Sequence, residues 1–398
     1  MDQTLYFFNP EHDLALANND RNFNAPQQAK RLAHDLACLP LWYAPTSSVV
    51  WTPSPEDQWF GAIRTLFPQI AESSLSTTPD FSQITSLISW GWDTAAYKRL
   101  TLSGADPDLL PSELQLSTIR QLSHRNMAIK ALDFIRTHQF TNAPLPQSAQ
   151  ELTSIDAVEN YAAKYARVIF KAPWSGSGKG LCWVRDKMTD SHRGWCRNII
   201  NKQGSILAER IYDNKLDFAM EFKCSNGITA FAGYSLFKTE KGIYRSNFLL
   251  SDRGIVQKIN DAGIETTLLR FIQNCLHEFI ASEIAPHYAG MLGVDMFVYE
   301  EDGQRKFHPC VEINLRMTMG CVARIFFDRF VNSSATGHFY IDHYPTAGEL
   351  WQDHLQRQSD HPLHVADGRI AKGYLALSDI QPHSHYRARI EIDNFSFV

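Results

Sequence analysis

The sequence predicts a multi-domain α/β protein that begins with a small α/β domain. Three observations carry that prediction. Short runs of β-formers alternate with helical patterns through roughly the first 115 residues. A loop dense in glycine and serine then sits between two apolar runs, in "VIFKAPWSGSGKGLCWV" (168–184). Finally, "MLGVDMFVYEEDGQRKFHPCVEINLRM" reads as two strands joined at Asp302-Gly303, a favoured two-residue hairpin turn.

In chain order, "TLYFF" is the first strand, followed at once by "NPEHDLALANN". Asn9 suits an N-cap, Pro10 a first helical residue, and Glu11 and Asp13 the positive first turn. Those acidic residues and His12 would also lie at the carboxyl end of a strand, where open α/β sheets bind ligands. The capped helix start is the favoured reading. "QQAKRLAHDLACL" is helix, and "SSVVWT" and "ITSLISWGWD" are strands. "LPSELQLSTIRQLSHRNMAIKALDFIRTHQF" reads as two helices, the second with Met127, Ala131, Leu132 and Ile135 near helical spacing. Further on, "SILAERI", "DFAMEFKC", "ITAFAGYSLFK" and "IYRSNFLL" alternate as a sheet, and "IETTLLRFIQNCLHEFIASEI" is a long amphipathic helix. "RIAKGYLAL" and "YRARIEIDNFSF" are strands of the C-terminal tail.

At 398 residues the chain exceeds one ordinary core. Its 44% hydrophobic and 20% charged residues are those of a globular protein. A net charge of −5 leaves no excess of cations to replace the counterions of a nucleic acid. "MDQTLYFFNPEHD" has neither the basic nor the apolar region of a secretion signal, and no apolar run would span a bilayer. The seven cysteines (38, 182, 196, 224, 275, 310, 321) are scattered without a C-x-x-C pair, which predicts reduced thiols and a cytoplasmic location. The fifteen histidines fit no zinc spacing and read as surface residues.

Glycines let backbone N–H groups turn toward an anion, so the 168–184 loop suggests phosphate. It is not a Walker A loop: Gly180 follows Gly178-Lys179, and Pro173 replaces the first glycine. Nor is it a dinucleotide fingerprint, because Leu181 takes the last glycine position and strand follows. The hairpin supplies the complementary signal. With a two-residue turn, Asp295 faces Cys310, and Glu312, Asn314 and Arg316 share one face by the period of two. Asp295 and Glu312 are then diagonal neighbours, offering with Asn314 the oxygen ligands that Mg²⁺ prefers. Asp295 lies in an apolar strand, where a bare carboxylate costs several kcal/mol to bury.

Together the loop and the distant acidic hairpin resemble the ATP-grasp superfamily, from about Leu110 to Arg324. The resemblance implies an N-terminal pre-ATP-grasp-like α/β domain at 1–115 and a small α+β lobe with a glycine-rich lid at 116–207. It further implies a large α+β lobe with the metal site at 208–332 and a C-terminal α+β extension at 333–398. By the same resemblance Arg125 stands where the family carries its first phosphate-binding lysine, with Lys130 as a fallback. Lys171 would reach the α/β-phosphates, and Ser175, Gly176, Ser177, Gly178 and Lys179 would form the lid. Glu209 and the backbone of Arg210 and Ile211 would meet adenine, and Asp217 the ribose. Asp295, Glu312 and Asn314 match the metal ligands, and Arg316 the arginine that steadies the γ-phosphate.

The resemblance implies ATP with Mg²⁺ (Mn²⁺ as an alternative ion) and an ADP-forming ligase. A small-molecule or peptide carboxylate would become an acylphosphate and be attacked by an amine, with Lys171 and Arg316 catalytic. Phosphorylation of a hydroxyl, or nucleotide sensing without turnover, are the other outcomes such a site allows. Lys238, Tyr244, Arg245 and Asn247, between hinge and hairpin, are candidates for the acceptor pocket. Dimerisation is common among family members, though no motif in this chain shows it.

Overall fold

A computed structural model describes residues 3–54, 57–138, 145–176, 180–240 and 242–393. Its strands form three sheets. The first is parallel and has the order β3-β2-β1-β4, with β1 Gln3–Phe7, β2 Val49–Trp51, β3 Ser74–Ser76 and β4 Ile84–Ser89. Parallel strands need crossovers, and the intervening helical segments supply them. Helices therefore cover both faces, and Leu5 and Phe7 pack on one side while Tyr6 and Phe8 pack on the other.

The second sheet is antiparallel with order β5-β8-β6-β7, from β5 Gln150–Leu152, β6 Val168–Lys171, β7 Leu181–Val184 and β8 Ile206–Arg210. Strands β6 and β7 flank the glycine-rich loop, as the β-branched and aromatic runs on either side require. Helices Ile155–Lys164 and Asp190–Gln203 cover it through Val158, Tyr161 and Cys196.

The third sheet has nine antiparallel strands in the order β13-β12-β9-β10-β11-β14-β17-β16-β15. They are β9 Asp213–Ser225, β10 Ile228–Glu240, β11 Ile243–Leu249, β12 Gly290–Glu301, β13 Gln304–Asn314, β14 Thr336–His343, β15 His364–Ala366, β16 Arg369–Ala376 and β17 Tyr386–Asp393. Its core face packs on the helices Asn126–Thr137 and Thr266–Glu283 through Phe218, Met220, Phe222, Ile272 and Leu276. The other face holds the polar residues described below.

Some expectations shift. The helix after β1 begins at His12, with Glu11 before it and no side-chain cap. Asn9 donates instead to the Gly91 carbonyl (2.8 Å) and to Asp93 (3.3 Å), tying β1 to β4. The expected boundary at 115/116 falls inside the helix Glu113–Leu122, whose start is a Ser112/Gln115 capping box. The one at 207/208 falls inside β8. The segment from 333 onward is no separate layer: β14 pairs with β11, and β17 and β16 continue the same sheet. One apolar cluster joins Tyr6 and Val50 to Phe326, Phe339 and Ile390, so the N-terminal and C-terminal parts share a core.

Candidate functional site

The β12–β13 hairpin turns at Asp302-Gly303, both left-handed (φ 55° and 73°), as a primed turn requires. Pairing runs as expected from Glu301↔Gln304 to Phe297↔His308. There the register slips, and Asp295 pairs with Glu312 rather than with Cys310. Pro309 is the physical reason: it has no N–H to give the ladder, so the strand bulges around it. The slip is two residues, which preserves the face. Asp295 and Glu312 are therefore direct cross-strand partners, not diagonal ones. Asn314 donates to Asp295 across the diagonal (3.1 Å).

Two carboxylates so placed repel one another. Burial, then Glu312 and Glu221, push the Asp295 carboxyl well above the usual carboxylate range. Glu221, on β9 opposite Gly293, is fully buried and accepts from Ser235 (2.7 Å), Cys321 (2.9 Å) and Thr318 (3.3 Å). Among the described residues no three His, Cys, Asp or Glu side chains form a metal cage of their own. The face offers two carboxylates and one amide oxygen, which suits an ion that keeps waters and borrows phosphate oxygens.

Two arginines flank the face. Arg316 leaves the end of β13, donates to Asn314 (3.2 Å), and grips Asp13 through Nε and Nη2, each 2.9 Å from a carboxylate oxygen. Burial alone would raise the Asp13 carboxyl, but Arg316 outweighs it and holds it low. Arg125 stands just before the helix Asn126–Thr137. It ion-pairs with Glu312 (2.6 Å) and donates to the Ala172 carbonyl (3.0 Å) and to Ser175 Oγ (3.1 Å), joining the glycine-rich loop to the acidic hairpin. A Cβ on Gly176 would lie 2.3 Å from Asp13 Oδ2, so only glycine lets the lid approach the N-terminal helix this closely.

Lys171 ends β6 and forms a buried ion pair with Glu209 of β8, whose other oxygen meets His308 (2.9 Å). Burial opposes ionisation of Glu209. Lys171 and His308 more than compensate, and its carboxyl falls to about 2. The Ile211 N–H donates to the Arg167 carbonyl (3.1 Å). Asp217 accepts from Asn214 (2.5 Å) and Thr239 (2.6 Å) and is raised chiefly by burial.

Solved structures match along nearly the whole chain. An N5-carboxyaminoimidazole ribonucleotide synthetase, solved with ADP, is 12% identical with a TM-score of 0.50; the match covers 99% of this chain and 92% of that one. A biotin carboxylase from Campylobacter jejuni, in a β-γ-ATP complex, is 11% identical with a TM-score of 0.51, covering 99% and 87%. No protein-family model and no curated protein matches the sequence. The chain has the ATP-grasp fold.

Within that ATP-grasp frame, the structure brings together Arg125, Lys171, Ser175, Gly176, Glu209, Asp295, Glu312, Asn314 and Arg316. Ser177, Gly178 and Lys179 lie outside the described residues. Lys130 is exposed. Among the acceptor candidates, Asn247 is buried and takes a hydrogen bond from Tyr244 (2.6 Å). Lys238 lies over the Phe248 ring, whereas Arg245 is an exposed partner of Glu240 (2.6 Å). Neither contact is with the metal face.

Two residues of this constellation were not picked out from the sequence: Glu221 and His308. Glu221 and His308 carried the same signal as Asp295, a polar residue inside an apolar strand ("DFAMEFKC", "KFHPCV"). Asp13 is legible in the sequence as a helix-start acid at the ligand-binding end of a strand, but not as the partner of Arg316.

Proposed function

We propose that this chain is an ADP-forming, Mg²⁺-dependent ligase that activates a carboxylate as an acylphosphate for attack by an amine. The observation that carries the reading is the convergence of Arg125 and Arg316 on the paired carboxylates Asp295 and Glu312, beneath the lid residue Ser175. Such a site works by positioning and electrostatics. The nearest thiols, Cys310 and Cys321, are both pushed up by burial and stay protonated. The fold supports the reading, since the two superposed enzymes above were solved with ADP or an ATP complex.

Asp295, Glu312 and Asn314 would hold the ion, which when bound neutralises phosphate oxygens. Lys171 commits one donor to Glu209 and keeps two for phosphate. Arg316, held by Asp13, presents a fixed charge where negative charge develops. The slots at Arg125/Lys171/Glu209/His308 and at Asp13/Ser175/Glu312 hold only about 20 Å³ each. Nucleotide pockets run to hundreds of Å³, so nucleotide entry requires the lobes to part and re-close, excluding water from the acylphosphate.

Hydroxylamine trapping tests this. Protein, Mg-ATP and pooled carboxylic acids, including amino acids and short peptides, are incubated with hydroxylamine and read by mass spectrometry. A hydroxamate that disappears in Glu312→Gln is the expected result. ATP consumption that yields a phosphorylated hydroxyl and no hydroxamate would overturn the ligase reading in favour of a kinase.

A further inference from the structure

A cavity of about 340 Å³ lies away from the acidic hairpin, in the N-terminal domain. It opens beyond the carboxyl ends of β1 and β2, against the first turns of the helix Thr94–Leu102 that follows β4. In the order β3-β2-β1-β4 the topological switch point, where open α/β sheets take ligands, lies between β1 and β4, and Phe8, Asn9, Asp93 and Ala95 from the segments after those two strands line the cavity.

Its chemistry is specific. Phe7, Phe23 and Trp51 give it aromatic walls. Glu11 lines it, and Glu11 Oε2 is buried without a hydrogen-bond partner among the described residues. Burial raises the Glu11 carboxyl, with Arg99 opposing. The Arg99 guanidinium lies over the Trp51 ring (4.8 Å) and the Phe7 ring (5.9 Å), and makes no hydrogen bond among the described residues. Lys30 lines the same cavity with its ammonium equally unspent. Asp93, by contrast, is consumed: it accepts from His12 (3.0 Å), Asn9 (3.3 Å) and the N–H groups of Ala95 and Ala96 (2.9 and 2.8 Å).

We propose that this cavity binds the amine-bearing substrate, a small zwitterion of the amino-acid class. Its ammonium meets Glu11, its anionic group meets Arg99 and Lys30, and its body lies along the aromatic walls. The assignment rests on the carboxylate–amine ligase reading. Groups of both signs around one aromatic-walled cavity suit a ligand carrying both charges: the buried Glu11 Oε2 gains the partner it lacks, and the exposed cations Arg99 and Lys30 meet the anionic group at the rim. The site also communicates with the metal face. His12 lines the slot beside Glu312, its partner Asp93 lines the cavity, and the residue after His12 is the Asp13 that holds Arg316.

Calorimetric titration of the full chain tests the assignment. The probes are the twenty standard α-amino acids, each compared with its N-acetyl form and its decarboxylated amine. At least one amino acid should bind, with both truncated forms at least tenfold weaker. Glu11→Gln should weaken that amino acid roughly ten- to a hundredfold while sparing its N-acetyl form. Arg99→Met, on the exposed rim, should weaken the N-acetyl form and spare the amine. Melting curves verify that both variants fold. The proposal is overturned if no amino acid binds, if an N-acetyl form binds as well as its parent, or if both variants bind like wild type. Hydroxamate formation with unaltered binding in Glu11→Gln sinks the cavity and leaves the ligase standing. Amino-acid binding lost in Glu11→Gln, without any hydroxamate, does the reverse.

Discussion

Arg316 at the exit of the acidic hairpin and Asp13 in the first helical turn form a two-point ion pair between residues 303 positions apart. The pair fixes a guanidinium whose Nη2 also reaches Asn314, so the N-terminal domain orients a group at the end of the acidic hairpin. Neither residue alone would announce this: an acid in a helix's first turn and an arginine after a strand are both ordinary.

Asp13→Asn should therefore impair turnover more than nucleotide binding. Losing a charge-assisted, two-point contact should cost about 1–3 kcal/mol of stability. Turnover should fall at least tenfold at saturating ATP, with the KM for ATP little changed. Steady-state kinetics beside urea denaturation check both; equal effects on kcat and KM would contradict an orienting role.

Arg125 holds the Glu312 carboxylate, the Ala172 carbonyl and Ser175 at once. Arg125→Met should raise the KM for ATP roughly ten- to a hundredfold, the worth of a charged hydrogen bond at about 1.5–3 kcal/mol. Arg125→Lys should recover only part, since an ammonium cannot present the guanidinium's fork.

Asp295→Asn should separate stability from activity. Its carboxyl sits against Glu312 and near Glu221 with burial resisting ionisation, so removing the charge should leave the melting temperature in EDTA unchanged or higher. Stabilisation by Mg-ATP should vanish. A lower melting temperature in EDTA would show that the carboxylate is structurally needed.

Glu209 supplies the pH dependence. Its carboxyl falls from an ordinary 4.5 to about 2. A depressed acid stabilises the fold above its unfolded value and loses that contribution as pH falls toward its folded value. The loss should therefore occur between about pH 5 and pH 2 and amount to roughly 3 kcal/mol. Glu209→Gln should flatten that segment of the stability-versus-pH curve. At neutral pH it should also destabilise the protein by about 3–5 kcal/mol, by leaving Lys171 buried without its partner.

The sequence by itself determined what is local. Alternating apolar residues set the strands, Ser112 and Gln115 set a helix start, Asp302-Gly303 set the hairpin, and Asp295 stood out as a carboxylate inside an apolar strand, because each depends on neighbours within a few residues. Tertiary structure decided the rest. The Pro309 bulge moved the partner of Asp295 from Cys310 to Glu312, since register depends on where the facing strand can pair. Packing on β1 and β4 freed Asn9 from capping a helix, and the parallel sheet left Glu11 Oε2 buried without a hydrogen-bond partner among the described residues, at a cavity. The strands after residue 333 joined the large sheet because the free edge of β11 offered unpaired backbone groups to cover. Ion pairs such as Asp13–Arg316 and Lys171–Glu209 are made by charges far apart in the chain, and only folding sets which ones meet.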